Sequence, residues 1–344
     1  MIGTRFGSST ARRRATRVRS ALVATAALLV AAAACGRVAP GTAGGSVAPS
    51  ASPAAEHAGA VTVLSASFAS ASAGWLLATP CTDQVAACRT VVMRKTVDGG
   101  RTWFAVPAPG VPGAPLADAY QDIPSANGVS AILFTGAGEG WAFGPALWQT
   151  RDGGAAWRKM SVPGGRVEDL GVAAGRMLAV TSRCGSGGSA CSLRVYSAAA
   201  GSDDWRAIPG AAAAGVRSAQ LVVSGGVGYV FAVMADLGKP ALLVGLANGS
   251  ARWRSLPTPC TSAWSGALAA APGGWLFLGC GLEPGAGNQI KAAYLSDDGG
   301  RTWRKVASPP FSGYLESASM SPGGTIFLSG GRMDIYISWD RGRS

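Results

Sequence analysis

Hydrolysis of a glycosidic bond needs a carboxyl acid/base and a nucleophile, and an acidic sugar also needs arginines to hold its carboxylate. This 344-residue chain contains the residue types: Arg89, Arg183 and Arg217 for the carboxylate, Asp118 or Asp122 as acid/base, and Tyr120 or Tyr314 with Glu283 or Glu316 as nucleophile. Together with Asp236 and Trp264, the same residues make a mixed polar and aromatic set suited to holding a glycan or a peptide without breaking a bond. Histidine chemistry is excluded, because the one histidine, His57, lies in a segment too poor in apolar residues to fold. No Cys-x-x-Cys pair occurs, so neither a metal nor a cofactor is expected.

The segments that must position these residues repeat. Thr96-Val97-Asp98-Gly99-Gly100-Arg101-Thr102-Trp103, Thr150-Arg151-Asp152-Gly153-Gly154-Ala155-Ala156-Trp157 and Ser296-Asp297-Asp298-Gly299-Gly300-Arg301-Thr302-Trp303 are near copies, and Ser338-Trp339-Asp340-Arg341-Gly342 begins a fourth. Weaker copies end at Trp205 and Trp253, so the terminal tryptophans are spaced by 54, 48, 48 and 50 residues. Each is preceded by a Gly-aromatic or Gly-apolar opening of a strand, as at Gly74-Trp75, Gly140-Trp141, Gly228-Tyr229 and Gly274-Trp275. A unit then reads strand A, turn, strand B from the glycine, loop, strand C, Asp-Gly turn, and strand D from the tryptophan. Four short antiparallel strands per fifty residues make a propeller blade.

These motifs resemble the Asp-box (BNR) repeat, and the chain resembles sialidase-like and photosystem II assembly-factor-like β-propellers across Val61–Ser344. The resemblance implies an all-β fold of six four-stranded antiparallel blades, with seven as the alternative count, over residues 59–344. The last box runs out at Ser344, and the expected closing strand is the stretch around Ala58–Val63. The box residues Asp98, Trp103, Asp152, Trp157, Asp298, Trp303 and Asp340 are expected to fold their turns and to stand away from the ligand face. The ligand face is expected on the D–A and B–C loops, which offer Asp118, Tyr120, Asp122, Arg217, Asp236, Trp264, Glu283 and Tyr314. No Arg-Ile-Pro precedes the first box, and strand Val61–Phe68 has no arginine, so the resemblance stops short of the sialidase site.

The first 34 residues read as an export signal: six arginines ahead of the apolar run Ala21–Ala34 and no acid before it. Ala32-Ala33-Ala34-Cys35-Gly36 resembles a lipobox with Ala32 in the usual leucine position, which implies acylation of Cys35 and anchoring by buried methylenes. Ordinary signal cleavage is the alternative. Residues 35–58 then form a tether. Without the leading arginines, 24 basic residues face 18 acidic ones with no basic run, so no nucleic-acid partner is expected. Six further cysteines suit an oxidising compartment, and the unit map pairs Cys81 with Cys88, Cys184 with Cys191, and Cys260 with Cys280. The reading is thus a monomeric, lipid-anchored, extracytoplasmic module that binds protein or glycan. A sialidase-like glycosidase and an assembly factor for a membrane complex are its alternatives.

Overall fold

The computed structural model describes residues 62–80, 91–109, 128–144, 146–173, 175–185, 190–246, 252–330 and 335–343, which form 22 strands and no helix. The first sheet holds β1 (Thr62–Phe68), β2 (Gly74–Thr79), β3 (Val92–Thr96) and β4 (Phe104–Val106) in sequence order. The second holds β5 (Ala131–Phe134), β6 (Gly140–Phe143), β7 (Leu147–Thr150) and β8 (Arg158–Met160). Seven strands share the third: β9 (Arg166–Ala173), β10 (Arg176–Cys184), β11 (Cys191–Ala199), β12 (Arg206–Ser224), β13 (Val227–Met234), β14 (Ala241–Leu246) and β15 (Arg254–Leu256). The fourth holds β16 (Ser265–Ala271), β17 (Trp275–Gly285), β18 (Asn288–Ser296) and β19 (Arg304–Val306). The last holds β20 (Leu315–Met320), β21 (Ile326–Gly330) and β22 (Ile335–Ser338). Every pairing is antiparallel between neighbours in sequence, which is the meander of a propeller blade.

Two expectations are corrected. The outer strand of the third unit and the inner strand of the fourth run on as the single 19-residue β12, so Arg217 lies in a strand rather than in a loop. Gly210 and Gly215, with φ of 79° and 70°, supply the bends that a loop would otherwise make. At the N-terminal end, Thr62 and Val63 do not close the last sheet. They pair with Thr79 and Ala78 inside the first one. Residues 58–61 lie outside the described residues, as do the signal and tether calls, Cys35, Cys81, Cys88, Arg89, Asp118, Tyr120 and Asp122.

The core is a series of apolar layers between successive units. Trp75, Leu77 and Met93 meet Ile132 and Phe134 at the first boundary, and Trp141 and Met160 meet Val167 and Met177 at the second. Trp75 stacks on Phe134 with ring centroids 3.8 Å apart. The glycine that opens strand B has a steric cause: a Cβ on Gly74 would sit 2.4 Å from Phe68, and one on Gly140 would sit 2.3 Å from Phe134. In both cases the phenylalanine is the direct cross-strand partner of the glycine and covers it.

Polar side chains also link the innermost strands across the boundaries. Ser65 and Ser67 on β1 accept the backbone N–H groups of Ile132 and Phe134 at 3.1 and 2.8 Å. Asp169 on β9 accepts the N–H of Leu221 on β12 at 2.7 Å. Gln220 on β12 then accepts from Leu268 N at 2.8 Å and donates to Leu268 O at 3.1 Å. Ser265 on β16 donates to Leu315 O on β20 at 3.0 Å. The inner strands belong to different sheets or units, so these side chains satisfy backbone groups that no ladder reaches.

Candidate functional site

The box turns are folding devices in their local geometry. Asp98 accepts the Thr96 hydroxyl at 2.8 Å, the Thr102 N–H at 2.9 Å and the Thr102 hydroxyl at 2.6 Å. Asp298 repeats this set with Ser296 and Thr302. Asp152 keeps the Thr150 hydroxyl and the Ala156 N–H, and has no second hydroxyl because position 156 is alanine. Those bonds favour the ionised form. They hold Asp98 down at about 2, led by the Thr102 hydroxyl, and lower Asp152 and Asp298 as well. Asp340 accepts the Ser338 hydroxyl at 2.8 Å and the Arg343 N–H at 2.9 Å, so the truncated copy still forms its turn. The box tryptophans reach back to the preceding unit, where Trp157 donates to Pro107 O at 2.9 Å and Trp303 to Pro257 O at 3.1 Å. Trp103 donates within its own turn to Gly100 O.

On the opposite set of loops, two bridges tie the chain. Cys184 and Cys191, on the facing ends of β10 and β11, are bonded, and so are Cys260, in the loop after β15, and Cys280 on β17. Both pairings match the unit map. The second holds the loop that carries Trp264, whose backbone N–H also donates to Gly281 O at 2.8 Å. Across from it the Arg217 guanidinium lies 5.8 Å from the centre of the Trp264 ring, a cation–π contact between an exposed arginine and a half-buried indole.

The inner strands line a cavity of about 280 Å³ with Asp169, Ser218, Gln220, Phe231, Gly266 and Glu316; Ser218 follows Arg217 in the chain, and Gly266 lies two residues after Trp264. Residues of β9, β12, β16 and β20 thus converge there. Asp169 is half-buried, and desolvation pushes its carboxyl up to about 7. The N–H groups of Leu221 and Leu170 and the neighbouring Glu168 adjust that value. Glu168 itself is held by the Ser182 hydroxyl and lies 3.8 Å from Arg166. Asp169 carries no motif and was missed by sequence reasoning; its one signal is a pair of adjacent carboxylates, Glu168 and Asp169, between the apolar residues Val167 and Leu170 of a strand.

The remaining loop candidates scatter. Asp236 is exposed and caps its own turn through the Gly238 N–H at 2.9 Å. Glu283 is exposed on β17, near the tight turn where Ala286 and Gly287 take φ of 49° and 75°. Tyr314 is half-buried, one residue from Leu315, whose N–H Gln289 accepts at 3.2 Å. Arg183 lies on β10 and not on an inner strand. Below the 311–314 loop, Lys291 is buried and donates to Asn288 Oδ1, Gln289 O and Phe311 O. Its ammonium also stands 4.8 Å from the centre of the Phe311 ring, and burial lowers its pKa. Among the described residues no group of three or more His, Cys, Asp or Glu could hold a metal.

No protein-family model matches the chain, and no curated protein matches it. Solved structures do. A structure of YCF48 bound to D1 peptide is 20% identical, covers 82% of this chain and 80% of its own, and superposes with a TM-score of 0.53. The Hadza microbial sialidase Hz136 is 14% identical with a TM-score of 0.50, and this chain, matched over 78% of its length, spans 62% of that one. At these identities the likeness is one of architecture: the chain folds as an all-β propeller.

Proposed function

We propose that the chain is an exported β-propeller that binds a protein or glycan at the mouth of its inner-strand cavity, anchored to the membrane through an acylated Cys35. The observation that carries this reading is the Arg217–Trp264 pair, held by the Cys260–Cys280 bridge beside a cavity with both carboxylate and amide walls. An aromatic face next to a cation and hydrogen-bonding groups is the surface that sugar rings and peptide side chains use. The two bridges fit an oxidising, extracytoplasmic compartment. The YCF48 structure, which holds a D1 peptide, adds support for a peptide as the ligand class. Screening the purified chain on glycan and peptide arrays tests the proposal. A reproducible hit on one class identifies the ligand type, and silence on both contradicts it.

Glycoside hydrolysis is the second reading, and one observation favours it: Asp169 and Glu316 line the same cavity, and Asp169 has the raised pKa of a general acid. Against it, the arginines on the described inner strands are Arg166, beside Glu168, and Arg217, over Trp264, and they form no clamp for a substrate carboxylate. Release of fluorophore from a sialoside, abolished by Asp169→Asn, would establish hydrolysis; no release leaves the binding reading in place.

A further inference from the structure

On the opposite, box-turn side, the boundary between the second sheet and the third differs from the first boundary. There Trp75, the residue after the glycine that opens β2, donates its indole N–H to Gly153 O in the next unit's box turn at 2.9 Å. Trp141 holds the same place on β6, but its indole N–H has no partner, although the residue is fully buried. The turn it should meet, Gly201-Ser202-Asp203-Asp204, has lost the Asp-Gly-Gly of the motif. Its cross-strand neighbour Gln149, 2% exposed, likewise has an unpartnered Nε2. Buried donors without acceptors are costly, which marks the place as one built to meet something else.

That place is open. Gln149 lines a cleft of about 570 Å³, the size of a small-molecule site, with Arg151, Trp157, Arg158, Asp152 and Asp203. Arg158 is committed: it pairs with Asp203 at 2.6 Å and donates to Gln149 Oε1 at 3.1 Å. Asp152 is committed to its turn. Arg151 is exposed and donates to Gly201 O at 3.3 Å. A Cβ at position 201 would come within 2.6 Å of Arg151 Nη2 and 2.9 Å of Gln149 Nε2, so both donors crowd one spot that only glycine leaves clear.

We infer that this cleft is a second binding site, separate from the inner-strand cavity, which takes a carboxylate of an acidic peptide between Arg151 and the Gln149 amide. Two convergent donors match the two oxygens of a carboxylate. Asp152 and Asp203 on the same lining repel a dianion such as a phosphate more than a monoanion. The Trp157 indole gives the peptide an apolar wall, and the excess of 24 basic over 18 acidic residues beyond the leading arginines favours acidic partners.

The test is a ¹H–¹⁵N titration that follows the Gln149 side-chain amide of the intact chain. Three probes are used: N-acetyl-Ala-Glu-Ala amide, N-acetyl-Ala-Ala-Ala free acid and N-acetyl-Ala-Gln-Ala amide. The expected result is a saturable shift with one or both of the first two, which separates side-chain from terminal carboxylates, and none with the third. Arg151→Gln, which folds normally because the side chain is exposed, should weaken that binding by roughly tenfold or more, with partial recovery in Arg151→Lys. No saturable shift with either acid, equal binding of the glutamine peptide, or unchanged affinity in Arg151→Gln would overturn the assignment.

Discussion

Asp169 offers a prediction with a sign and a size. Its carboxyl is held near 7 in the fold and near 3.8 once exposed. Between those values the folded chain binds a proton that the unfolded chain has released, so stability falls as pH rises through the window. From pH 5 to pH 8 the loss from this one group is about 3 kcal/mol, and below pH 4 its contribution is fully present. Asp169→Asn removes the titration. It keeps one carbonyl to accept the Leu221 N–H but forfeits the second acceptor that serves Leu170 N, at about 1 kcal/mol. Urea unfolding at pH 5, 6, 7 and 8 should therefore show the wild type losing stability steeply and the variant staying nearly flat, with the two curves crossing. The groups facing Asp169 are Glu168 on its own strand, with Arg166 beside it, and Glu316 across the cavity. Parallel curves for wild type and variant would refute the buried-acid argument, and with it the basis for reading Asp169 as a general acid.

Three further outcomes follow from the geometry. Asp298→Asn should lower the melting temperature, because the carboxylate orders its turn through Ser296, Arg301 and Thr302, while leaving ligand binding intact; unchanged melting would contradict the folding role. Gly140→Ala should cost about 1–3 kcal/mol by driving a Cβ into Phe134, whereas Gly175→Ala, with φ of 72° and open space around it, should cost about 1 kcal/mol of backbone strain alone. Calorimetry of the two variants separates crowding from strain. Intact mass before and after reduction should show a six-proton difference if Cys81 and Cys88 join the two bridges seen here, and Cys260→Ala with Cys280→Ala should cost roughly 3 kcal/mol for the 20-residue separation.

The repeat made the architecture legible because the box turn is a local device: Asp98, Asp152 and Asp298 close bonds within six residues, and the tryptophan spacing survives where the aspartate is gone. Cys184–Cys191 and Cys260–Cys280 followed from placing the cysteines on that map. What depends on neighbours distant in sequence was not visible. Residues Ala211-Ala212-Ala213-Ala214 carry no signal that β12 runs through from one unit to the next, so Arg217 was placed in a loop. Asp169 finds its partner 52 residues away, and nothing in a strand pattern announces that a carboxylate is stitched to another unit's backbone. The cleft at Gly201 arises from a motif that is missing, and a missing motif reads in the sequence only as a weaker repeat.

The central claim is that a ligand sits on the Arg217–Trp264 pair. Isothermal titration of the array-identified ligand against wild type and Trp264→Ala tests it most directly. The account predicts that Trp264→Ala binds at least roughly tenfold more weakly, a loss of about 1.4 kcal/mol or more of aromatic contact, with the fold unchanged. Equal affinity in the two proteins would contradict it and move the ligand away from the mouth of the inner-strand cavity.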